Sequence, residues 1–449
     1  MMSTKGRARA PVDLEIMVSE VGVRGDGVAE TALGRVFVPL TVVGDRVRVR
    51  LEPPQGEGRR GHVLTWLERG PDAATPICGH FGRCGGCTLQ HMTDATYADW
   101  KRARVEAALS RAGFPPVDSL RLERTPPGGR RRVSFTVTRR GKAVQVGFSE
   151  RLSHRIVDLS ECPVLAPRLA ALLSVSRRSL PAILPQDGSL TVTASAPGSE
   201  VAFAPGSEVA FAPAGDIDLL LTGPARLDLS ARQVLAEFAE DADIARLSWQ
   251  PDSGSLPEPV AARRPVRVEF GGVAVEPPPG AFLQASAAGE AVLIGTVLAA
   301  AQERAGAGPV ADLFAGCGTF SLPLAAQAGR QVYAVDGNLA AIKALTHAAR
   351  RFPGVTAERR DLVLQPVSAA ELARFAMVVF DPPRSGAAAQ AEQLAASTVP
   401  VVVAVSCNPA TFARDARILR EGGFRLCSVL AVDQFLWSAH VELVAVFQR

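Results

Sequence analysis

The chain has 449 residues, too many for one hydrophobic core, so we expect it to divide into several domains. Its hydrophobic fraction of 47% and charged fraction of 21% are those of a globular protein. No apolar run approaches the roughly 20 residues of a membrane helix, and the polar, basic start lacks the apolar core of a secretory signal, so we expect a cytoplasmic protein without a membrane segment.

The first predicted domain, residues 10–68, reads as short strands separated by glycines. Segments 36–38, 46–51 and 62–64 are strand-like, with alternating side chains in 46–51, and Gly22, Gly25, Gly27, Gly34 and Gly44 mark turns. This spacing predicts a small five-stranded β-barrel, an architecture often used to bind oligonucleotides.

The second predicted domain, residues 69–268, opens with three clustered cysteines, Cys78, Cys84 and Cys87, and Cys162 follows farther along. In a cytosolic protein such cysteines indicate metal or catalytic roles before disulfides. Four thiolates can complete either a 4Fe–4S cluster or a tetrahedral zinc site. Zinc sites more often use two C-x2-C pairs, so the pattern favours a 4Fe–4S cluster with a structural or RNA-positioning role.

The rest of this domain contains an amphipathic helix over residues 97–112 and then strand-like runs from residue 130 to about 268. Fourteen basic and four acidic residues lie between Lys101 and Arg155. Such a segment indicates a polyanion-binding face, although a solvated basic surface would have the same composition. Residues 196–203 are repeated at once as 204–211, and we expect this repeat to lengthen a surface hairpin or loop.

The third predicted domain, residues 269–449, alternates helices with β-rich runs. Strands are predicted at 310–314, 332–335 and 377–380, from 401, and in a terminal pair at 426–432 and 441–447. Helices at 290–304, 321–328 and 339–351 separate the first of them. The alternation predicts an α/β fold with a parallel, doubly wound sheet, which binds its ligands at the carboxyl ends of its strands.

A glycine turn, Asp-Leu-Phe-Ala-Gly-Cys-Gly-Thr-Phe over 312–320, joins the first predicted strand of this domain to a helix. Glycines let the backbone approach a ligand, and the helix start offers free N–H groups. Asp336 ends the next strand, where a carboxylate can bind a ribose, and Asp361 is placed for an adenine amino group. The motif lacks a third glycine, which disfavours a dinucleotide and favours S-adenosylmethionine; a purely structural turn is the alternative.

Three further side chains follow or precede strands of the same sheet. Asp381 begins an Asp-Pro-Pro-Arg motif, Cys407 lies in Ser-Cys-Asn-Pro after a valine-rich run, and Glu442 precedes the last strand. Cys407 is either a nucleophile beside a cofactor site or a buried, inert thiol. Glu442 is either a base near the active edge of the sheet or an ordinary surface carboxylate.

With these motifs in order, the chain resembles the bacterial RNA uracil-5-methyltransferases, specifically the 23S ribosomal RNA branch with an N-terminal TRAM barrel and an iron–sulfur cluster. The resemblance rests on the segments at 25–29, 36–39, 279–284, 312–320, 381–384, 406–409 and 440–442 and on the cysteines Cys78, Cys84, Cys87 and Cys162. It implies a Rossmann-like, class I methyltransferase domain behind the N-terminal barrel and a β-rich central domain.

The resemblance also implies roles for individual residues. Those expected to line the S-adenosylmethionine pocket or its edge are Gln284, Phe314, Thr319, Asp336, Asp361 and Asp381. Cys407 would be the nucleophile that adds to C6 of uracil, and Glu442 would be the base that takes the C5 proton. Asp381 would form a hydrogen bond with the edge of the uracil. RNA phosphates would be held by the barrel and by Arg130, Arg131 and Arg132.

The implied function is S-adenosylmethionine-dependent methylation of uridine C5 in 23S ribosomal RNA by a monomeric enzyme. A transfer-RNA uracil-5-methyltransferase is the alternative among enzymes. A non-catalytic RNA-binding or ribosome-assembly factor is the alternative outside them, although the intact motifs argue against it.

Overall fold

The computed structural model describes residues 12–54, 56, 58–117, 120–197, 201–202, 210–211, 216–223, 226–327 and 329–449. The chain forms two compact units. The first contains the residues up to Trp100 together with Trp437–Ala439, and the second contains Lys101–Leu436 and His440–Arg449. The finer division into domains at 10–68, 69–268 and 269–449 stays a prediction.

The first unit contains a strand-rich region, as the glycine spacing predicted. Its strands are β1 (Val12–Met17), β2 (Glu20–Val21), β3 (Gly27–Thr31), β4 (Gly34–Val38), β5 (Arg46–Leu51) and β6 (Gly58–Glu68). Within the described residues they form one sheet in the order β1-β5-β6-β4-β3-β2, with one more strand than the five predicted, because the two-residue β2 pairs with β3. In β5 Val47, Val49 and Leu51 enter the core, while Arg48 and Arg50 pair with acidic side chains of β1.

The second unit begins with most of helix α1 and a β-rich region. Its elements are α1 (Asp94–Arg111, which starts in the first unit), β7 (Arg121–Arg124), β8 (Arg132–Arg140), β9 (Ala143–Ser149), β10 (Ile156–Asp158), α2 (Pro167–Ser179), β11 (Asp187–Ser195), β12 (Val201–Ala202), β13 (Ala210–Phe211), β14 (Ile217–Thr222), α3 (Leu229–Asp241), β15 (Ile244–Gln250), β16 (Glu258–Ala262), β17 (Val268–Phe270) and β18 (Val273–Val275). One sheet runs β10-β9-β8-β11-β14-β15-β16, and this confirms the prediction of a strand-rich central region.

The octapeptide repeat lies mostly outside the described residues. In the part that is described, β12 pairs antiparallel with β13, with Val201 opposite Phe211. The two strands lie near the ends of the two copies, and whether the repeat lengthens a surface hairpin or loop, as predicted, depends on residues outside the described ones.

The last part of the second unit is an α/β sheet with helices. Its elements are α4 (Ala287–Arg304), β19 (Val310–Leu313), α5 (Ser321–Ala326), β20 (Val332–Asp336), α6 (Leu339–Ala348), β21 (Val355–Arg359), α7 (Ala369–Leu372), β22 (Met377–Phe380), α8 (Ala388–Ala396), β23 (Val401–Ser406), α9 (Pro409–Glu421), β24 (Arg425–Asp433) and β25 (Glu442–Gln448). The strand order is β21-β20-β19-β22-β23-β25-β24-β7. The five strands from β19 to β23 are parallel, as predicted, whereas β25 runs antiparallel to β23 and β24.

Apolar side chains cover both faces of this sheet. Alternate residues of β22 and β23 belong to two different hydrophobic clusters, one on each face, and every residue of both strands is buried. This explains why their sequences are continuous apolar runs rather than alternating patterns. Polar side chains therefore appear where the strands end, and those ends carry the candidate site. No helix in the described ranges is both long and apolar enough to cross a membrane.

Candidate active site

The pairing of the strands brings the predicted residues to one edge of the sheet. Leu313 pairs with both Val335 and Phe380, so Phe314, Asp336 and Asp381 all follow strands that end at the same level. Ser406 of β23 lies opposite Leu443 of the antiparallel β25. Cys407 directly follows β23 and Glu442 is the first residue of β25, so each is one residue farther toward this edge and the two lie at neighbouring positions.

The glycine turn between β19 and α5 is held against the end of β20. Gly316 donates its backbone N–H to Oδ2 of Asp336 at 2.9 Å, and Asn338 donates to Oδ1 at 2.7 Å. Phe314 has a φ of 64°, in the left-handed region that is unfavourable for a side chain with a Cβ. A Cβ added to Gly316 would meet no atom within 4 Å, so the turn presents an open concave backbone at the predicted cofactor position.

Asp312 lies directly beneath this turn and is fully buried. Its Oδ2 accepts a hydrogen bond of 2.5 Å from the Ser321 hydroxyl, while Oδ1 has no partner among the described residues. Burial raises the pKa of Asp312 to about 7, against the effect of the Ser321 hydrogen bond, and the charges of Asp381 and Asp336 add to the rise. Asp312 therefore supports the turn as a neutral or partly neutral acid near pH 7.

Four polar side chains form a continuous hydrogen-bonded chain at the edge. Gln284 donates through Nε2 to Oδ2 of Asp381 at 3.0 Å. Gln434 donates through its own Nε2 to Oε1 of Gln284 at 2.7 Å and to Oε2 of Glu442 at 2.9 Å. Three predicted residues are thus connected, and the connection runs through Gln434, which the sequence analysis did not identify.

The two carboxyl groups of this chain are both harder to ionise than usual. Burial raises the pKa of Asp381 to about 7, although the hydrogen bond from Gln284 opposes the rise. The pKa of Glu442 is raised by burial and by the charge of Asp381, and the hydrogen bond from Gln434 opposes that rise. Because each charge disfavours the other, the pair retains a proton more readily than two isolated carboxylates would.

Cys407 is half-buried at the end of β23. Burial raises the pKa of its thiol to about 12, and the charges of Glu442 and Asp381 add to the effect. The next residue, Asn408, caps helix α9 and donates through Nδ2 to the backbone oxygen of Arg384 at 3.0 Å. This hydrogen bond therefore connects the turn that contains Cys407 to the Asp-Pro-Pro-Arg turn. The raised pKa keeps the Cys407 thiol protonated near pH 7.

Arg384 and His440 lie beside these turns. The Arg384 guanidinium is 3.2 Å from both ring nitrogens of His440. Burial lowers the pKa of His440 to about 4, and Arg384 lowers it further, so the imidazole is neutral near pH 7. A neutral ring beside a guanidinium leaves the positive charge on the arginine.

The remaining predicted cofactor residues flank the glycine turn or follow β21. Phe314 and Thr319 are half-buried in the turn itself. Asp361 is exposed, and its Oδ1 accepts hydrogen bonds from the backbone of Val363 and Leu364, which start the turn after β21. All three lie on segments that follow the carboxyl ends of their strands.

The predicted phosphate-binding role of Arg131 is wrong. Its side chain is 2% exposed and pairs with Glu290 at 2.5 Å, while its Nε donates to the backbone oxygen of Gln284. Arg131 directly precedes β8, and its contacts with Glu290 and with the backbone of Gln284 hold it against the Gln284 segment rather than in solvent. Its neighbours Arg130 and Arg132 are half-buried, and Arg132 lies 5.8 Å from the exposed ring of Phe282.

The predicted cluster cysteines are all half-buried. Cys78, Cys84 and Cys87 belong to the first unit, and Cys162 belongs to the second. In the described portion of the chain, no three His, Cys, Asp or Glu side chains are arranged to hold a metal ion. One feature does suit a sulfur ligand, since the Gly86 N–H lies 3.4 Å from Sγ of Cys84.

Lys101 is a second residue that the sequence analysis overlooked. It is fully buried, and its Nζ donates to Oδ1 of Asp433 at 2.9 Å and to the backbone oxygens of Phe435 and His440. These contacts fix the residues on either side of Gln434. The helical pattern contained a signal, because Lys101 lies four residues from both Tyr97 and Val105 on the apolar face of α1.

Comparison with known proteins identifies the family to which the chain is related. The sequence profile of the tRNA (Uracil-5-)-methyltransferase family matches residues 272–449. An uncharacterized RNA methyltransferase of Caulobacter vibrioides is 41% identical over 97% of this chain and 100% of its own length. The 23S rRNA (uracil(1939)-C(5))-methyltransferase RlmD of Halomonas elongata is 32% identical over 97% of this chain and 89% of its own.

A solved structure shares the fold. The crystal structure of the Pyrococcus abyssi tRNA (uracil-54, C5)-methyltransferase in complex with S-adenosyl-L-homocysteine matches with a TM-score of 0.73. The match covers 96% of this chain and 99% of that one, at 22% sequence identity. The similarity therefore extends over both units and not only over the α/β sheet.

Proposed function

The chain belongs to the RNA uracil-5-methyltransferase family, and we propose that it methylates C5 of a uridine in 23S ribosomal RNA through a covalent bond between Cys407 and C6. The observation that carries this proposal is the position of Cys407 beside Glu442 and Asp381 at one edge of the sheet. A nucleophile, a base and a further carboxyl group are the side chains that this reaction requires.

S-adenosylmethionine supplies the methyl group when it is bound. The residues proposed to hold it are Gln284, Phe314, Thr319, Asp336, Asp361 and Asp381. The turn fits such a ligand because its backbone is open at Gly316 and its carboxylate, Asp336, is already oriented by two backbone N–H groups. Both oxygens of Asp336 keep further lone pairs with which to accept ribose hydroxyl groups.

The high pKa of Cys407 determines how the thiol must act. Because the thiolate is the nucleophile, the S–H proton has to leave as the sulfur attacks C6. We assign this proton to the Asp381 carboxylate, whose pKa of about 7 leaves it partly ionised near neutral pH. The S–C6 bond then makes C5 nucleophilic, and C5 takes the methyl group that bound S-adenosylmethionine would supply, its methyl–sulfur bond breaking so that S-adenosylhomocysteine leaves.

Glu442 completes the reaction in this proposal. Its carboxylate removes the C5 proton, the electron pair re-forms the C5–C6 double bond, and the S–C6 bond breaks. The methylated base leaves, the sulfur takes back the proton held by Asp381, and Glu442 releases the C5 proton to solvent. A base within an RNA stack must be unstacked to reach this buried edge.

Two substitutions test the chemistry. Cys407→Ala should abolish methyl transfer while leaving RNA and S-adenosylmethionine binding intact; Cys427→Ala, at an exposed cysteine, is the control. Glu442→Gln should accumulate an RNA–protein adduct that survives a denaturing gel. Turnover by the Cys407→Ala variant, or a Glu442→Gln enzyme that forms no adduct, would overturn the assignment.

The choice of 23S ribosomal RNA rests on the relative from Halomonas elongata, whose name specifies that substrate. Transfer RNA is the second candidate, because the Pyrococcus abyssi enzyme is named for it. Parallel assays on a 23S fragment and on unmodified transfer RNA separate the two. Mapping 5-methyluridine in ribosomal RNA from a deletion strain identifies the position, and an unchanged pattern would rule out the ribosomal substrate.

We also propose that Cys78, Cys84, Cys87 and Cys162 hold a 4Fe–4S cluster. The support is the spacing of the first three cysteines, the half-buried position of their side chains, and the N–H of Gly86 near one of the sulfurs. The described side chains are not in position to ligate a metal together, and no step of the reaction is assigned to the cluster. Anaerobic purification should give a brown protein containing iron and sulfide, whereas a colourless zinc protein would refute the cluster.

A further inference from the structure

Gln434 occupies the centre of the hydrogen-bonded chain that joins the two carboxyl groups. It is 2% exposed, and it is the first residue of the connection between β24 and β25. Both hydrogens of its Nε2 are used, one toward Gln284 and one toward Glu442. A buried amide that donates to two separate site residues can fix the orientation of both of them.

We propose that Gln434 is a positioning residue that keeps Glu442 available as a base and keeps the amide of Gln284 turned toward Asp381. The inference rests on the proposed function and deepens it, since Gln434 itself touches neither reacting atom. The Gln434 side chain acts on the reaction through Glu442 and Gln284.

The direction of the hydrogen bonds supports this role. Gln434 donates to the Glu442 carboxylate, and a donor favours the charged form of an acid. It also donates to Oε1 of Gln284, which leaves the Gln284 Nε2 facing Oδ2 of Asp381. If Gln284 turned over, its oxygen would face the oxygens of Asp381, and its amide nitrogen would face the amide nitrogen of Gln434.

The surroundings hold Gln434 in this orientation from two sides. A Cβ added to Gly289 of α4 would lie 2.9 Å from Cβ of Gln434, so a glycine is needed there. On the other side the preceding residue, Asp433, is paired with the buried Lys101. Several charged or titratable groups lie around Gln434 and its two partners. They are Asp381 and Cys407 beside Glu442, the Lys101–Asp433 pair, and the Arg131–Glu290 pair behind Gln284.

The experiment compares Gln434→Met with the wild-type enzyme in two measurements. Methionine retains the length and removes both donors. Infrared difference spectroscopy follows the carboxylic-acid band of Glu442, which is identified by its loss in Glu442→Gln, as a function of pH and without RNA. The second measurement is the pH dependence of kcat/KM for tritium release from 5-tritiated uridine RNA.

In Gln434→Met we expect Glu442 to titrate at higher pH than in the wild type. Fewer enzyme molecules then carry the free base at neutral pH, so kcat/KM falls about 10- to 100-fold there and recovers as the pH rises. The matched control is Gln390→Met, at an equally buried glutamine whose amide bonds only to the backbone of Val367. It should change neither the titration nor the shape of the profile.

Gly289→Ala is the second variant, because its methyl group displaces Gln434 without altering any donor. It should shift the titration in the same direction. An unchanged Glu442 titration in both variants, or a loss of activity that is equal at every pH, would overturn the role of Gln434. If the wild-type enzyme transferred no methyl group to any RNA, the proposed function would fail, and the titration would still decide the role of Gln434.

Discussion

Three carboxyl groups, those of the buried Asp312 and Glu442 and of the half-buried Asp381, lie at one edge of the sheet, and each is harder to ionise than usual. The glycine turn and the proposed chemistry both need negative charge or hydrogen-bond acceptors there, and burial opposes that charge. At the scale of single residues, therefore, the folded protein is more stable when these carboxyl groups are protonated. Folding and activity are expected to respond to pH in opposite directions.

The first prediction concerns Asp312. Its pKa is raised from 3.8 to about 7, so its contribution to stability is complete below the lower value and is lost as the pH rises through the upper one. The asparagine of Asp312→Asn does not ionise, so the variant does not lose this stability as the pH rises. Its amide oxygen can still accept the Ser321 hydrogen bond. The stability of the variant relative to wild type should therefore increase by about 2–3 kcal/mol between about pH 5 and about pH 8.

Urea titrations monitored at both pH values measure this difference. The control is Asp252→Asn, because hydrogen bonds from the Ser255 side chain and from the Gly254 backbone lower the pKa of the exposed Asp252. That substitution should not stabilise the protein at the higher pH. If the Asp312→Asn difference were the same at both pH values, Asp312 would have to ionise normally in the folded protein.

At the scale of elements, Lys101 joins helix α1 to the two ends of the β24–β25 connection. Its Nζ is enclosed, and burial lowers its pKa even though Asp433 opposes the effect. One ammonium group thus donates hydrogen bonds to a carboxylate and to two carbonyl oxygens. This contact fixes the segment that contains Gln434 and leads to Glu442.

The second prediction is that Lys101→Met destabilises the second unit by about 3–5 kcal/mol, because Asp433 is left buried without its partner. Urea denaturation provides the measurement. The double variant Lys101→Met with Asp433→Asn should recover part of the loss, since the uncompensated charge is gone. Lys343→Met, at an exposed lysine of α6, should remain within about 0.5 kcal/mol of wild type. An equal midpoint for Lys101→Met and Lys343→Met would contradict the prediction.

The sequence predicted the central strands of the α/β sheet because those strands are buried on both faces and consist of apolar residues. It did not reveal β21 (Val355–Arg359) or β7 (Arg121–Arg124), which are the two edge strands of that sheet. None of their residues is buried, so neither has an apolar pattern. The antiparallel direction of β25 was likewise not visible, because it depends on how the chain returns rather than on side-chain periodicity.

The candidate site shows a similar division. Asp336, Asp381 and Cys407 could be predicted, since each directly follows or ends a recognisable strand. The contacts of Gln434, Lys101 and Arg131 could not, because their partners lie between 8 and 339 residues away along the chain. Arg131 lies in a basic run whose composition predicts solvent exposure. Only its contacts in the folded protein show that it is enclosed.

For the whole molecule, the buried positions of Lys101 and Arg131 reduce the basic surface that the sequence predicted between Lys101 and Arg155. Exposed cations remain on the β8–β9 hairpin, where Arg140 and Lys142 flank a glycine turn. A hairpin that projects two positive charges can contact RNA phosphates without reading the sequence of the bases. The affinity for RNA should therefore depend on this hairpin, and methyl transfer chemistry should not.

The last prediction is that Arg140→Gln with Lys142→Gln weakens RNA binding and makes it less sensitive to salt. Each phosphate contact that is lost lowers the slope of log affinity against log salt by about 0.7–0.9, so two contacts give about 1.4–1.8. Filter binding over a salt series measures the slope, and saturating RNA should restore the wild-type rate of methyl transfer. Lys343→Gln with Arg350→Gln removes the same charge from exposed positions on and just after α6 and should leave the slope unchanged. Equal slopes for the two double variants would place the RNA-binding face elsewhere on the protein.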